Sequence, residues 1–301
     1  MQGASRTPIA VIGATGQQGG AVLRALQASS QFKLRALTRD TDKHRNLAEE
    51  VVAADLNRPE TLEAAFKGAH GVFLVTNFWE NGANELKQAT AAVRAAKEAD
   101  VKHFIWSTLP NVEAISQGKF HLPHFTGKAK VDQIVQEAGF ANHTFVIAPF
   151  YYQNLVGPLA PQKQVDGSVG WALPLDPNVR CVHIGDITEL GNIVAGAFAH
   201  PDEAGNGEYL PLVGDFMSFN EIVDTLNQQG HQFSFKQVPT EAFAASFPGA
   251  AEAAETFRYF EAYTYLGSDS YDRIALANQI AGQRPTRFSE WARMNFPAVA
   301  A

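Results

Sequence analysis

The chain has 301 residues, 46% hydrophobic and 18% charged, the make-up of a soluble globular protein long enough for a large core. A net charge of −7 argues against direct nucleic-acid binding. The single cysteine, Cys181, excludes an internal disulfide, and no leader or 18-residue apolar run is read, so a cytoplasmic protein without membrane attachment is expected.

An apolar run, Pro8-Ile9-Ala10-Val11-Ile12, is followed at once by Gly13-Ala14-Thr15-Gly16-Gln17-Gln18-Gly19-Gly20 and then by the helical pattern Ala21–Leu26. A strand that breaks on glycine and restarts as a helix aims free backbone N–H groups and the positive end of the helix dipole at one point, which suits a pyrophosphate. In this arrangement Gly13 permits the tight turn, Gly16 lets the backbone approach the phosphates and Gly19 lets helix and strand pack closely. Further strands are expected at Lys33–Leu37, Glu50–Ala53, Gly71–Leu74, His103–Trp106 and His143–Ile147. Helices are expected at 19–28, 42–48, 60–67, 82–99 and 126–138. That alternation predicts an α/β fold, a Rossmann doubly wound parallel sheet with a smaller α/β C-terminal domain. Residues 1–155 form the dinucleotide-binding domain in this reading and 156–301 the second, with about 186–214 returning to the sheet. After Phe150, prolines and glycines mark a loop-rich segment. A helix at Asp186–Ala199, a strand at Gly207–Val213 and a capping-box helix at Ser218–Gln229 follow it, and 231–301 reads as mostly helical and aromatic.

The loops after the strands carry the candidate ligand residues, because ligands of such sheets bind at the carboxyl ends of the strands. Thr38-Arg39-Asp40 stands roughly 25 residues beyond Gly13, where an acidic residue would hold a ribose 2′-hydroxyl. The guanidinium of Arg39, with Lys43 nearby, instead favours a 2′-phosphate and so NADP(H) over NAD(H), although Asp40 can hold a hydroxyl. Asp55-Leu56 can meet the adenine or cap a helix, Thr76-Asn77-Phe78-Trp79 can wall the dinucleotide, and Ser107 ends the fifth strand. Short-chain dehydrogenases need a tyrosine four residues before a lysine on the next helix. Here Lys128 is preceded at that distance by His124, which can act as a general acid or simply as a surface or cap residue. His121 and His124 lack the spacing and the companions of a zinc site, so no metal is expected.

These residues resemble the NmrA-like family of atypical short-chain dehydrogenases, and in particular its redox-sensor branch. The likeness is carried by Gly13–Gly20, Val75-Thr76-Asn77-Phe78-Trp79-Glu80, His124-Phe125-Thr126-Gly127-Lys128, Phe150-Tyr151-Tyr152-Gln153-Asn154-Leu155 and Phe247-Pro248-Gly249-Ala250. The resemblance implies NADP(H) held by Gly13, Thr15, Gly16, Gln17, Gln18 and Gly19 at the pyrophosphate and by Arg39 at the 2′-phosphate. It places Thr76 and Asn77 along the dinucleotide and Lys128 by the nicotinamide ribose. The resemblance also implies that Pro149, Phe150 and Tyr151 flank the nicotinamide end and that Asn154 is a further cofactor-binding residue. It also implies a redox sensor, a monomer or homodimer that couples cofactor occupancy to a protein partner such as a transcription regulator or a metabolic enzyme. The alternative is an NADPH-dependent reductase of a small carbonyl, imine or enone, using Lys128 and His124.

Overall fold

The computed structural model describes residues 6–80, 82–268 and 270–297. From the amino end the chain forms β1 (Thr7–Val11), α1 (Gln17–Ser29), β2 (Phe32–Thr38), β3 (Glu50–Ala53), α2 (Leu62–Phe66), β4 (Gly71–Leu74) and α3 (Glu85–Glu98). Then come β5 (His103–Thr108), α4 (Val112–Ile115), α5 (Pro123–Glu137), β6 (Asn142–Ile147), β7 (Phe150–Tyr151), β8 (Gln162–Lys163), β9 (Val169–Leu173) and β10 (Val182–Gly185). The carboxyl-terminal part continues with α6 (Leu190–Ala199), α7 (Pro201–Ala204), β11 (Asn206–Pro211), β12 (Asp215–Met217), α8 (Phe219–Gln228) and β13 (Phe233–Gln237). It closes with α9 (Thr240–Ala244), α10 (Ala250–Tyr263), α11 (Tyr271–Ala281) and α12 (Phe288–Asn295).

Seven of these strands form one parallel sheet in the order β11-β6-β5-β4-β1-β2-β3. Their side chains alternate between two apolar layers, as buried parallel strands require. Ile9, Val11, Leu34, Phe73 and Val146 face α1, α6 and α11, whereas Ala10, Leu37, Val72, Leu74, Phe104 and Trp106 face α2, α3 and α5. The result is a Rossmann-type, doubly wound sheet. A third core, with Trp171, Phe219, Phe257, Tyr259, Phe260 and Trp291, fills the carboxyl-terminal part. Two three-stranded sheets, β12-β10-β7 and β13-β9-β8, lie there. Because the seven strands run in parallel, their carboxyl ends line one edge, and the sheet reverses its winding between β1 and β4.

Two expected elements differ. Residues 42–48 form successive turns instead of a helix, since the Asp40 carboxylate accepts the Lys43 N–H and turns the chain just after β2. The region after 231 contains a strand, β13, which pairs in parallel with β9. The Ser218–Glu221 capping box is present at the start of α8. Among the described residues no helix is long and apolar enough to cross a membrane.

Helix α6 packs directly on α1, where a Cβ added to Gly191 would lie 2.3 Å from the Ala21 carbonyl oxygen. Gly191→Ala should therefore force the two helices apart and lower stability by about 2 kcal/mol. An unchanged urea midpoint and slope would show that these helices do not meet at that distance.

Candidate functional site

The loop after β1 is shaped by glycine. Gly13 has φ +72°, and its carbonyl accepts the Gly16 N–H at 2.9 Å. A Cβ on Gly19 would stand 2.2 Å from that same carbonyl oxygen, so the first turn of α1 sits against the loop as only glycine allows. Gly16 caps α1 with its backbone alone, leaving the N–H groups of Gln17, Gln18 and Gly19 without intrahelical acceptors. Thr15, Gly16 and Gln17 are exposed, so the positive end of the helix opens to solvent at the switch point of the sheet. Gln18 turns inward, where its Nε2 donates to the Tyr151 hydroxyl at 2.8 Å and its Oε1 accepts from Ser107 Oγ at 2.6 Å. One side chain thus ties α1 to the ends of β5 and β7.

The stretch of residues 75–80 follows β4 and makes the other contacts. Thr76 is buried and belongs to a compact polar cluster with Glu85, the first residue of α3, and Lys128 of α5. The Lys128 ammonium donates to the Thr76 carbonyl at 3.0 Å, to Thr76 Oγ1 at 2.9 Å and to Glu85 Oε1 at 2.7 Å. Thr76 Oγ1 in turn donates to the same Glu85 oxygen at 2.5 Å. An ammonium has three protons, and each has an acceptor within the protein. The Trp106 ring lies beneath, 5.1 Å from Nζ. Burial pushes the Lys128 pKa below its usual value, and the Glu85 carboxylate works against that shift. Glu85 Oε2 is buried with no partner among the described residues.

Further along the same loop, Asn77 Oδ1 accepts the Trp79 N–H at 3.1 Å and so bends the chain. The rings of Phe78 and Trp79 lie 5.8 and 5.5 Å from that of His124. His124 is on α5 with Lys128, because the helix starts at Pro123, a residue suited to a first turn. Its Nδ1 is 2.5 Å from Glu252 Oε1 of α10, and burial lowers its pKa while that carboxylate opposes the change. Glu80 closes the described stretch with an ion pair to Arg39, the first residue beyond β2.

The structure thus gathers the glycine loop, Gln18, Arg39, Thr76, Asn77, Phe78, Ser107, Pro149 and Tyr151 along one edge of the sheet. Lys43 is exposed on the turn beyond Arg39. Asp55 and Leu56 follow β3 at the end of the sheet, where Asp55 Oδ1 accepts the Asn57 N–H and Leu56 packs on the core. Pro149 packs on Gly185, and Asn154 lies in the 3-10 turn after β7, half-buried, without a side-chain link to the residues above among the described contacts. Three acidic residues at the site, Glu80, Glu85 and Glu252, were not singled out by sequence. Only Glu80 lies within a motif that carries the family resemblance. Among the described residues no three histidine, cysteine or acidic side chains are grouped to hold a metal ion, and His121 and His124 face separate carboxylates, Glu113 and Glu252.

Comparison with known proteins places this geometry in context. The model of the NmrA-like family matches residues 5–292. An NmrA-like family domain-containing protein of Dictyostelium discoideum is 29% identical over 300 residues, 95% of this chain and 96% of its own. The NmrA-like family domain-containing oxidoreductase FrzB of Cladobotryum sp. is 32% identical over 245 residues, 73% of this chain and 72% of its own. Among solved structures, NmrA, a negative transcriptional regulator in complex with NADP, shares the fold with a TM-score of 0.79 and 21% identity over 97% of this chain and 96% of that one.

The Lys128–Glu85 pair leads to a stability test. Lys128→Met alone leaves a buried carboxylate unpaired and should cost about 3–5 kcal/mol. The double variant Glu85→Gln/Lys128→Met removes both charges and should recover most of that loss in denaturant titrations at pH 7. Losses that simply add would refute a coupled buried pair.

Proposed function

The chain belongs to the NmrA-like family, and from that premise we propose that it binds NADP(H) along the carboxyl edge of its sheet and passes the occupancy of that site to a protein partner. The residues fit the cofactor. The free amides of the α1 amino terminus and the exposed backbone of Gly16 suit the pyrophosphate, and only glycine at 19 lets that helix approach the loop. Arg39 and Lys43 would hold the 2′-phosphate, Thr76, Asn77 and Phe78 the length of the dinucleotide, and Gln18, Ser107, Pro149 and Tyr151 its nicotinamide end. Asp55 and Leu56 would stand by the adenine, with Lys128 by the nicotinamide ribose and Asn154 beyond it. The complex of NmrA with NADP supports the same assignment by likeness of fold.

The observation that carries the coupling is the reach of one loop. Residues 75–80 contact Arg39 through Glu80, Lys128 through Thr76 and His124 through Phe78 and Trp79, and His124 bonds to Glu252 on α10. A ligand seated against this loop therefore acts on a side chain bonded to the carboxyl-terminal part. For such a ligand to signal it must bind two arrangements of the loop unequally, since equal affinity shifts no population. The engaged protons of Lys128 and the engaged Nδ1 of His124 favour a site that reads its ligand over one set up for proton transfer.

A second reading, an NADPH-dependent reductase of a small carbonyl, imine or enone, is favoured by the fungal relative that carries the name oxidoreductase. Bound NADPH supplies a hydride, and Lys128 would hold the proton beside Thr76 once a ligand drew the threonine hydroxyl away.

Adding NADPH should slow amide hydrogen exchange in residues 250–263 of the wild type, and Glu252→Ala should abolish that distant protection while NADPH still binds. Unaltered exchange on saturation would sink the coupling. For the second reading, NADPH absorbance at 340 nm should fall with at least one member of a carbonyl, imine and enone panel. A flat trace across the panel would count against it.

A further inference from the structure

Strands β2 and β4 flank β1 on either side, so Arg39 and Glu80 belong to loops separated by two strand spacings, about 10 Å. Their ion pair therefore spans the carboxyl end of β1, where the Gly13 loop leaves the sheet. The Arg39 side chain is 62% exposed but reaches a Glu80 side chain that is only 32% exposed, so the arginine is drawn toward the crevice. The ends of these two loops carry three cations, Arg39, Lys43 and Arg45, against three carboxylates, Asp40, Asp42 and Glu80. By formal charge these six residues balance, so Arg39 is not part of an excess of positive charge.

Resting on the NADP(H) reading above, we propose that Glu80 is a specificity-determining residue that sets the ratio in which NADP(H) and NAD(H) bind. Its carboxylate pairs with Arg39, and a 2′-phosphate has to displace it and then sit beside a like charge. A 2′-hydroxyl meets the opposite situation, because it can donate a hydrogen bond to that carboxylate, as acidic residues accept from this hydroxyl in NAD-binding folds. Arg39 and Glu80 are thus two halves of one selector. The arginine favours the phosphate and the glutamate the hydroxyl, each weakening the other while they are paired.

The test is a set of dissociation constants for NADPH and NADH, measured by calorimetry on the wild type, Glu80→Gln, Arg39→Ala and the double variant. Glu80→Gln should tighten NADPH about fivefold, the scale of an exposed ion pair, and leave NADH equal or weaker. Arg39→Ala should weaken NADPH alone, and adding Glu80→Gln to it should recover less than the single variant gains, because no arginine remains to be released. An unchanged NADPH to NADH ratio in Glu80→Gln, with binding intact, would overturn this inference and leave the cofactor reading standing. Failure of the wild type to bind any dinucleotide would overturn the cofactor reading and take the selector with it.

Discussion

A carboxylate and an ammonium shut away from water hold the carboxyl edge of this sheet together. Removing two ions from solvent costs several kcal/mol each, and such a pair persists only where its geometry is good and its remaining hydrogen-bonding capacity is met. Lys128 meets that condition, with three acceptors for three protons and an indole face beneath, whereas Glu85 meets it at Oε1 only, its Oε2 being without a partner among the described residues. The cluster joins three parts of the chain: the loop just after β4 through Thr76, the start of α3 through Glu85, and, 43 residues further on, α5 through Lys128. Thr76, at the base of the stretch after β4, is thereby fixed, and Asn77 to Glu80 are left to bridge the site and its surroundings.

That division of the loop bears on what the site does. Groups prepared for acid–base work keep a proton, or a lone pair, aimed at the place where substrate will lie. Here the lysine directs its protons at protein oxygens, and Nδ1 of the neighbouring histidine is spent on a carboxylate of another helix. On the proposed reading, freeing either group means moving a loop that pairs with Arg39 and packs on His124, the side chain bonded to α10. The same contacts would delay a reductase and would suit the reader of cofactor proposed above.

Much of the fold is legible in the chain because buried parallel strands and their glycine turns leave local signatures. The six strands up to Ile147 are visible as short apolar runs, and the Ser218 capping box is visible in four residues. The stretch 42–48 misleads because its helical spacing competes with an aspartate that turns the chain at Asp40, and local hydrogen bonding wins. β13 is hidden because its pairing partner, β9, lies some sixty residues earlier. The acidic residues of the site were illegible for a related reason. Glu85 opens a helix after an Asn84 cap, where an acidic residue is expected on the surface to meet the helix dipole, and nothing in the neighbouring sequence announces that a lysine 43 residues later will bury it. The glycines at 13, 16 and 19, by contrast, declare themselves, since the backbone they permit is local.

The return of the chain to the sheet has its own consequence. β11 covers the outer side of β6, and α11, from the far end of the sequence, lies over β11 and α6. The two halves are stitched through each other. A fragment ending near residue 155 would expose the unpaired hydrogen-bonding edge of β6 and strip one apolar face of two of its helices, the kind of surface that seeks another strand. A protein made this way cannot trade its second half for another in a single recombination event. Its two halves have to evolve as one body, and changes that retune one are felt in the packing of the other.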